Sequence, residues 1–124
     1  MLSKTGPVKP REKDLPGVYK VQCKICSEGV YYGETGVNLP YRMSQHKQDI
    51  KDERVSNAMF IHMRDNPGHS FDFKGAKLIY KSNQKSKRQL VESALIATND
   101  NCNLKPGDYP VCRISAPVVL NGVK

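Results

Sequence analysis

Two short stretches near the start of the chain alternate apolar or aromatic positions with polar ones. They are Gly-Val-Tyr-Lys-Val-Gln-Cys over residues 17–23 and Val-Tyr-Tyr-Gly-Glu over residues 30–34. Such alternation, with β-branched and aromatic residues, is typical of half-buried strands. Because only a short segment separates the two stretches, the pattern predicts a β-hairpin with a cysteine-rich turn.

The apolar positions that follow have the spacing of a helix. One face of this helix would carry four residues, which are Leu39, Met43, His46 and Ile50. Residues three and four apart lie on the same helix face. Asn38 is a suitable N-cap, and Pro40 is compatible with the first turn. The pattern therefore predicts a helix from residue 39 to about residue 51.

Two more helices and one strand complete the predicted order. A short helix over residues 57–64, capped by Ser56, would stop at the Asn-Pro-Gly turn of residues 66–68. Residues 76–80 are predicted to form a third strand, and Ser82 or Ser86 would start a helix that runs to about Thr98. The expected fold is a small α+β domain with a three-stranded antiparallel sheet flanked by helices.

Composition and length limit the class of protein. A chain of 124 residues with 38% apolar residues has room for one domain with a modest core. It shows no apolar run long enough for a membrane span or a signal peptide, so we expect an intracellular protein without a membrane partner. We expect a basic arm or linker over residues 1–14, the domain over residues 15–110 and a tail over residues 111–124.

Charge points to a polyanionic partner. The chain has 20 Lys and Arg against 12 Asp and Glu, for a net charge of +8. Such an excess favours nucleic acid, because each phosphate that the protein neutralises releases condensed counterions. A merely well-solvated surface is the alternative. The positive charges cluster over residues 4–13 and 81–88 without interleaved aromatic residues, which favours backbone contacts to DNA.

The chain has four cysteines, which in a reducing compartment are metal ligands or free thiols before they are disulfides. The Cys-x-x-Cys spacing of residues 23–26 in a predicted hairpin turn is typical of an embedded zinc knuckle, which needs two more ligands. Candidates for a structural Zn²⁺ site are Cys23, Cys26, His62 and His69. Cys102 and Cys112 are the alternative second pair.

Three features suggest chemistry. Tyr19 and Tyr31 lie on neighbouring predicted strands, where two phenols are most often packing partners. Arg42 and His46 are four residues apart on one helix face, although a buried, hydrogen-bonded histidine is an alternative explanation there. Glu92 is the only charge in the apolar stretch of residues 90–97. Such a carboxylate must bind metal or be paired, and Arg88 one turn earlier is a possible partner.

The order of these residues resembles the GIY-YIG nuclease family. The segments that carry the likeness are GVY at residues 17–19 and YYG at 31–33, the Gly-Glu-Thr-Gly of 33–36, and then Arg42, His46, Glu92 and Asn103. The likeness covers residues 17–105, with Tyr32 where the family usually has an aliphatic residue. Within the family, the segments GVYKVQCKIC, YYGETG, RMSQHK, HMRDNPGHSFDF and RQLVESALI look like the endonuclease domain of Penelope-like retroelements.

The resemblance implies a role for each matched residue. Tyr19 would help to activate the attacking water, with His46 or Tyr31 assisting its deprotonation. Arg42 would hold the scissile phosphate, and Glu92 would bind a catalytic Mg²⁺ or Mn²⁺, a hard ion that prefers oxygen ligands. By its position, Asn103 would help to shape the site, although Asn99 and Asn101 are close in sequence and compete for the match.

The implied function is a DNA endonuclease that nicks its target so that reverse transcription can start at the cut. Such a module would be fused to a reverse transcriptase in the full-length protein, and in a eukaryotic retroelement it would be nuclear. Two alternatives remain open. One is a repair, homing or restriction nuclease of the same family, and the other is a zinc-stabilised nucleic-acid-binding module without cleavage activity.

Overall fold

The computed structural model describes residues 15–104, which form three strands and three helices. In chain order these are β1 (Gly17–Gln22), β2 (Val30–Thr35), α1 (Leu39–Lys51), α2 (Ala58–Asp65), β3 (Lys77–Lys81) and α3 (Lys85–Thr98). The predicted small α+β fold with a three-stranded antiparallel sheet is confirmed. The expected arm and tail, with the last residues of the expected domain, lie outside the described residues.

The sheet has the order β2-β1-β3, and β1 pairs antiparallel with both neighbours. Because β1 is central, apolar side chains on both of its faces are buried, and Val18, Tyr19 and Val21 have no exposed surface. One face packs with Leu39 and Met43 of α1. The opposite face carries a second apolar cluster, formed by Val18, Val30, Tyr32, Val91 and Leu95. The sheet therefore separates two small cores.

Helix α1 follows the prediction closely. The side chain of Asn38 accepts a hydrogen bond from the amide of Tyr41 at 2.8 Å, as an N-cap should. Proline occupies the first turn, where its missing N–H leaves no intrahelical hydrogen bond unmade. Leu39, Met43 and His46 are buried on one face, so the predicted apolar stripe is the face that meets the sheet.

The starts of α2 and α3 differ from the prediction. Asn57 caps α2, in place of Ser56, because its side-chain oxygen accepts from the amides of both Met59 and Phe60. Helix α3 begins at Lys85 after Gln84, which makes no side-chain capping bond. Neither proposed serine caps α3 in the predicted way. The Ser82 hydroxyl instead accepts from the amide of Gln84 at 3.1 Å, in the turn before the helix.

Strand limits differ by about one residue from the prediction. Strand β1 ends at Gln22, and Cys23 forms an isolated bridge with Phe71 in the segment that follows α2. Strand β3 begins at Lys77 and includes Lys81. In the described range, no helix is both long and apolar enough to cross a membrane.

A nearly buried ion pair fastens α3 to the sheet. Arg88 Nε donates to Glu34 Oε1 at 2.8 Å, and Arg88 Nη1 donates to the carbonyl of Ser82 at 3.1 Å. The two charged side chains are 7% and 23% exposed. A charge in such a place is stable only when it is paired. The pair therefore fixes the position of α3, and with it the position of Glu92 one turn later.

Candidate active site and metal centre

Three aromatic rings meet where β1, β2 and α1 come together. The hydroxyl oxygen of Tyr19 lies 2.7 Å from Nε2 of His46. The ring of Tyr31 meets the His46 ring edge-on at a centroid distance of 5.1 Å and lies 6.2 Å from the Tyr19 ring. The structure therefore brings together two tyrosines and a histidine that are up to 27 residues apart in sequence.

Gly33 makes the approach of the two phenols possible. It is the partner of Tyr19 in the β1–β2 register. A Cβ atom at Gly33 would overlap the phenol end of Tyr19 and would lie 2.9 Å from Cε2 of Tyr31. The third residue of the Tyr-Tyr-Gly motif is therefore a glycine for a steric reason, because the Tyr19 ring crosses directly over it.

Arg42 and Glu92 supply opposite charges to this cluster. Arg42 is half-buried on α1, and its Nη1 donates to Gln45 at 2.7 Å. Its positive charge lowers the pKa of Tyr19 and of Tyr31, whereas the negative charge of Glu92 raises the pKa of both. Both charged groups are therefore close enough to the phenols to affect their ionisation.

Burial dominates the ionisation of the ring cluster. It raises the pKa of Tyr19 well above the ordinary value for a phenol, and it also raises the pKa of Tyr31. Burial, with a smaller contribution from the Arg42 charge, lowers the pKa of His46 to about 4, although Asp49 opposes that shift. At neutral pH the cluster thus consists of neutral phenols and a neutral imidazole.

The candidate residues differ in access to solvent. Tyr19 has no exposed surface and His46 is only 2% exposed, whereas Tyr31, Arg42 and Glu92 are half-buried. A substrate phosphate that approached the described structure would meet the half-buried groups. Tyr19 and His46 lie behind them, in the interior of the domain.

Asn103 is placed at the outer edge of β2. Its side-chain amide donates to the carbonyl of Tyr32 at 2.8 Å and accepts from the amide of the same residue at 3.1 Å. The neighbouring candidates bond elsewhere. Asn99 ends α3 by donating to Leu95, and Asn101 donates to the carbonyl of Ile96. Of the three, Asn103 is the one that bonds to the strand bearing Tyr31.

A second cluster gathers two cysteines and two histidines. One ligand atom from each of its residues lies within 4.8 Å of the other three, and the residues are Cys23, Cys26, His62 and His69. The closest pairs are 3.3–3.5 Å apart. Bonds of about 2.0–2.3 Å to a tetrahedral zinc give ligand separations of about 3.3–3.8 Å. The cluster therefore has the donor set and the size that could hold a structural zinc ion.

Two turns, each containing a glycine, produce this geometry. Asn66 ends α2, its side chain donates to the carbonyl of His62 at 2.9 Å, and its own carbonyl accepts from the amide of His69. This turn, with Gly68 at a φ of 91°, folds His69 back beside His62 despite their wide spacing. A Cβ at Gly29 would lie 2.8 Å from Nε2 of His62, so the hairpin turn also needs a glycine.

The ligand side chains of this cluster differ in how easily they ionise, since burial and the neighbouring Cys23 side chain raise the pKa of Cys26. Burial opposes ionisation of Cys23, but hydrogen bonds from neighbouring amides, including that of Ile25 to the sulfur at 3.4 Å, lower its pKa overall. Burial and the neighbouring His69 lower the pKa of His62, which keeps that ring neutral and able to bind metal. Cys102 is outside the four-residue cluster, and burial raises its pKa to about 12. Cys112 lies outside the described residues.

Sequence reasoning missed two residues at these sites. Position 29 must be a glycine, because a Cβ there would collide with side chains of the Cys2His2 cluster. No local turn signal indicates this contact. Asn57 is 6% exposed, and its Nδ2 lies 2.9 Å from Nδ1 of His46 as well as 3.2 Å from Asp49. An asparagine before a helix predicts an N-cap through its side-chain oxygen. Nothing in the local pattern predicts which residues its side-chain nitrogen contacts.

No protein-family model, curated protein or solved structure matches the chain. The functional interpretation therefore rests on the residues and their geometry.

Proposed function

We propose that this chain is a divalent-metal-dependent DNA endonuclease domain of the GIY-YIG type, with a nicking role in a Penelope-like retroelement. The observation that carries the proposal is the convergence of five side chains from four elements, which are Tyr19, Tyr31, Arg42, His46 and Glu92. A domain that only binds DNA has no need for a carboxylate near two phenols, one of them fully buried. Hydrolysis of a phosphodiester uses each of these groups.

Phosphodiester hydrolysis adds negative charge to the phosphate oxygens in the transition state. A fixed guanidinium such as that of Arg42 stabilises this charge without having to reorganise. Glu92 offers a half-buried carboxylate, which is the kind of oxygen ligand that a hard divalent ion prefers. When bound there, Mg²⁺ or Mn²⁺ would act as a Lewis acid on the phosphate.

The phenols would handle the proton of the attacking water. Tyr31 is the more accessible of the two, and a hydrogen bond from Tyr19 together with the Arg42 charge lowers its pKa against the effect of burial. Burial still keeps the net pKa of Tyr31 above that of a free phenol, so Tyr31 would act as a base only where neighbouring cations offset the effect of burial. In this arrangement Tyr31 would contact the substrate, while Tyr19 and His46 pack against Tyr31 on its buried side.

The Cys2His2 cluster would have a structural role in the same domain. Four protein ligands leave a tetrahedral zinc with no open position for substrate. The cluster joins the hairpin turn to α2 and to the segment after it, so a bound zinc would stabilise the hairpin whose strands carry Tyr19 and Tyr31.

A second candidate function is a zinc-stabilised nucleic-acid-binding module without cleavage activity. The Cys2His2 cluster and the net charge of +8 favour it, because they need no catalytic group. It differs from the nuclease in one measurable respect, since it would bind DNA without cutting it in either Mg²⁺ or Mn²⁺.

Cleavage of a supercoiled plasmid in Mg²⁺ or Mn²⁺ tests the proposal. We expect the wild type to produce open circles before linear DNA, and we expect Glu92→Gln to cut at least 100-fold more slowly, because the substitution removes the charge that holds the ion. Glu53→Gln, the same change at an exposed position after α1, is the matched control and should cut within twofold of the wild type.

DNA affinity and melting temperature, measured on the same three proteins, separate the two candidate functions. Equal binding and folding with cleavage lost only in Glu92→Gln would support the nuclease. If the folded wild type binds DNA but leaves the plasmid intact in both metals, the binding module is the better description. Equal cutting by all three proteins would show that Glu92 is not the metal ligand.

A further inference from the structure

Asn57 has the orientation of its side-chain amide fixed by the backbone. The amide N–H groups of Met59 and Phe60 lie 3.0 and 3.3 Å from Oδ1 of Asn57. Backbone N–H groups only donate, so the atom that faces them must be the oxygen. The nitrogen Nδ2 is therefore the atom that faces away from the helix, toward His46 and Asp49.

This nitrogen donates two hydrogen bonds and accepts none. It lies 3.2 Å from Oδ2 of Asp49, a carboxylate that accepts, and 2.9 Å from Nδ1 of His46. Because Nδ2 must donate, Nδ1 of His46 must be the acceptor and carries no proton. A neutral imidazole has one N–H, which must then be on Nε2. Burial keeps the ring neutral, with its pKa at about 4.

We propose that Asn57 is a positioning residue of the site that holds His46 in the Nε2–H tautomer, so that His46 donates a hydrogen bond to the hydroxyl oxygen of Tyr19. The 2.7 Å contact between those two atoms then has one direction. Tyr19 keeps its own hydroxyl hydrogen for a different acceptor. His46 cannot take a proton from Tyr19 in this tautomer, because its lone pair faces Asn57.

The direction of the hydrogen bonds from Asn57 through His46 to Tyr19 has a consequence for catalysis, which rests on the proposed nuclease function. Tyr19 accepts a hydrogen bond from His46 and can donate one to Tyr31. The centroids of the two tyrosine rings are 6.2 Å apart. A hydrogen bond to its oxygen favours the ionised form of Tyr31, which is the half-buried phenol. Reversing the tautomer would turn Tyr19 back toward His46 and remove that support.

The test uses the zinc-loaded full chain with ¹⁵N-labelled histidine. NMR should show a pyrrole-type signal for Nε2 and a pyridine-type signal for Nδ1 of His46, which is assigned by its loss in His46→Gln. The reverse pattern in the wild type would overturn the proposal. This readout does not depend on cleavage, so the tautomer is decided even if the protein cuts no DNA and the proposed nuclease function is wrong.

An exchange of two side chains should reverse the tautomer while keeping the cap. In the double variant Asp49→Asn/Asn57→Asp, a carboxylate at position 57 still caps α2 and now accepts from Nδ1, while the new amide at position 49 can donate to it. We expect an Nδ1–H signal and a cleavage rate at least tenfold lower, with kcat affected more than KM. A reversed tautomer with unchanged kcat would contradict the positioning role.

Two further variants keep the proposal falsifiable. Asn57→Ser retains a capping oxygen, but its side chain is too short to cap the helix and donate to Nδ1 at the same time. The His46 signals should then show both tautomers, and kcat should fall. A single Nε2–H tautomer with wild-type kcat would contradict the proposal even if the double variant does not fold. Asn38→Ser makes the same chemical change at the cap of α1, away from His46, and should leave kcat within twofold of the wild type.

Discussion

At the scale of the residue, the burial of His46 gives stability a dependence on pH. The ring is held between the phenols of Tyr19 and Tyr31, the Arg42 charge and the Asp49 carboxylate. Its folded pKa of about 4 lies below the value of 6.5 for an exposed histidine. The unfolded chain therefore binds the proton first as the pH falls. The stabilisation is complete above pH 6.5 and is lost as the pH falls toward 4.

We expect the free energy of unfolding of the wild type to decrease by about 3 kcal/mol from this one group between pH 7 and pH 4. Urea denaturation of the wild type and of His46→Gln at several pH values measures it, because the Cys2His2 cluster titrates in both proteins and cancels in the difference. The variant should be less stable at pH 7 and should lose less stability on acidification. Parallel pH profiles for the two proteins would contradict the burial of a neutral ring.

Individual residues also show where sequence reasoning succeeds and where it stops. The pattern placed Tyr19 and Tyr31 on adjacent strands and Arg42 with His46 on one helix face, and the structure confirms those positions. It could not decide that Tyr19 is fully buried and Tyr31 is not, because that difference arises from how α1 packs against the sheet. The contact between Asn57 and His46 could not be predicted for the same reason.

At the scale of the element, the proposed zinc ion would connect three neighbouring parts of the fold. The hairpin turn supplies Cys23 and Cys26, helix α2 supplies His62, and the turn after it supplies His69. Sequence spacing left the second pair of ligands open between the two histidines and two later cysteines. The turn at residues 66–68 brings the second histidine back beside the first, which favours the two histidines as the second pair.

Metal analysis of purified protein should give about one zinc per chain in the wild type. We expect the ratio to fall below about one fifth in Cys26→Ser and to stay near one in Cys102→Ser, the same change at a cysteine outside the cluster. Because binding to folded protein only is folding free energy, chelation should lower the melting temperature by about 10 °C or more. A zinc-free wild type with an unchanged melting temperature would remove the structural role.

At the scale of the whole molecule, the charge of +8 should determine how the protein binds DNA. Exposed lysines at the start of α3, Lys85 and Lys87, belong to the described part of this charge. Contacts of lysine with phosphates release counterions but do not distinguish bases. We therefore expect an affinity that depends strongly on salt and only weakly on sequence.

Binding of two unrelated duplexes at 50 and 200 mM salt measures this. For about five phosphate contacts, the affinity should fall by about 10³-fold over that range and should be similar for both duplexes. The isotherms are best recorded without divalent metal, so that cleavage does not interfere. Affinities that are equal at the two salt concentrations would contradict a phosphate-dominated interface.

Cys102 and Asn103 lie beside β2, which is an edge strand of the sheet. The amide of Cys102 donates to the carbonyl of Val30, and the side chain of Asn103 bonds to both backbone groups of Tyr32. A strand margin with free N–H and C=O groups is a template on which a second chain can assemble. This short segment covers that edge through the Cys102 amide and the Asn103 side chain, so an Asn103→Ala protein would lose part of the cover. We expect such a protein to be prone to self-association through β2, with lower solubility.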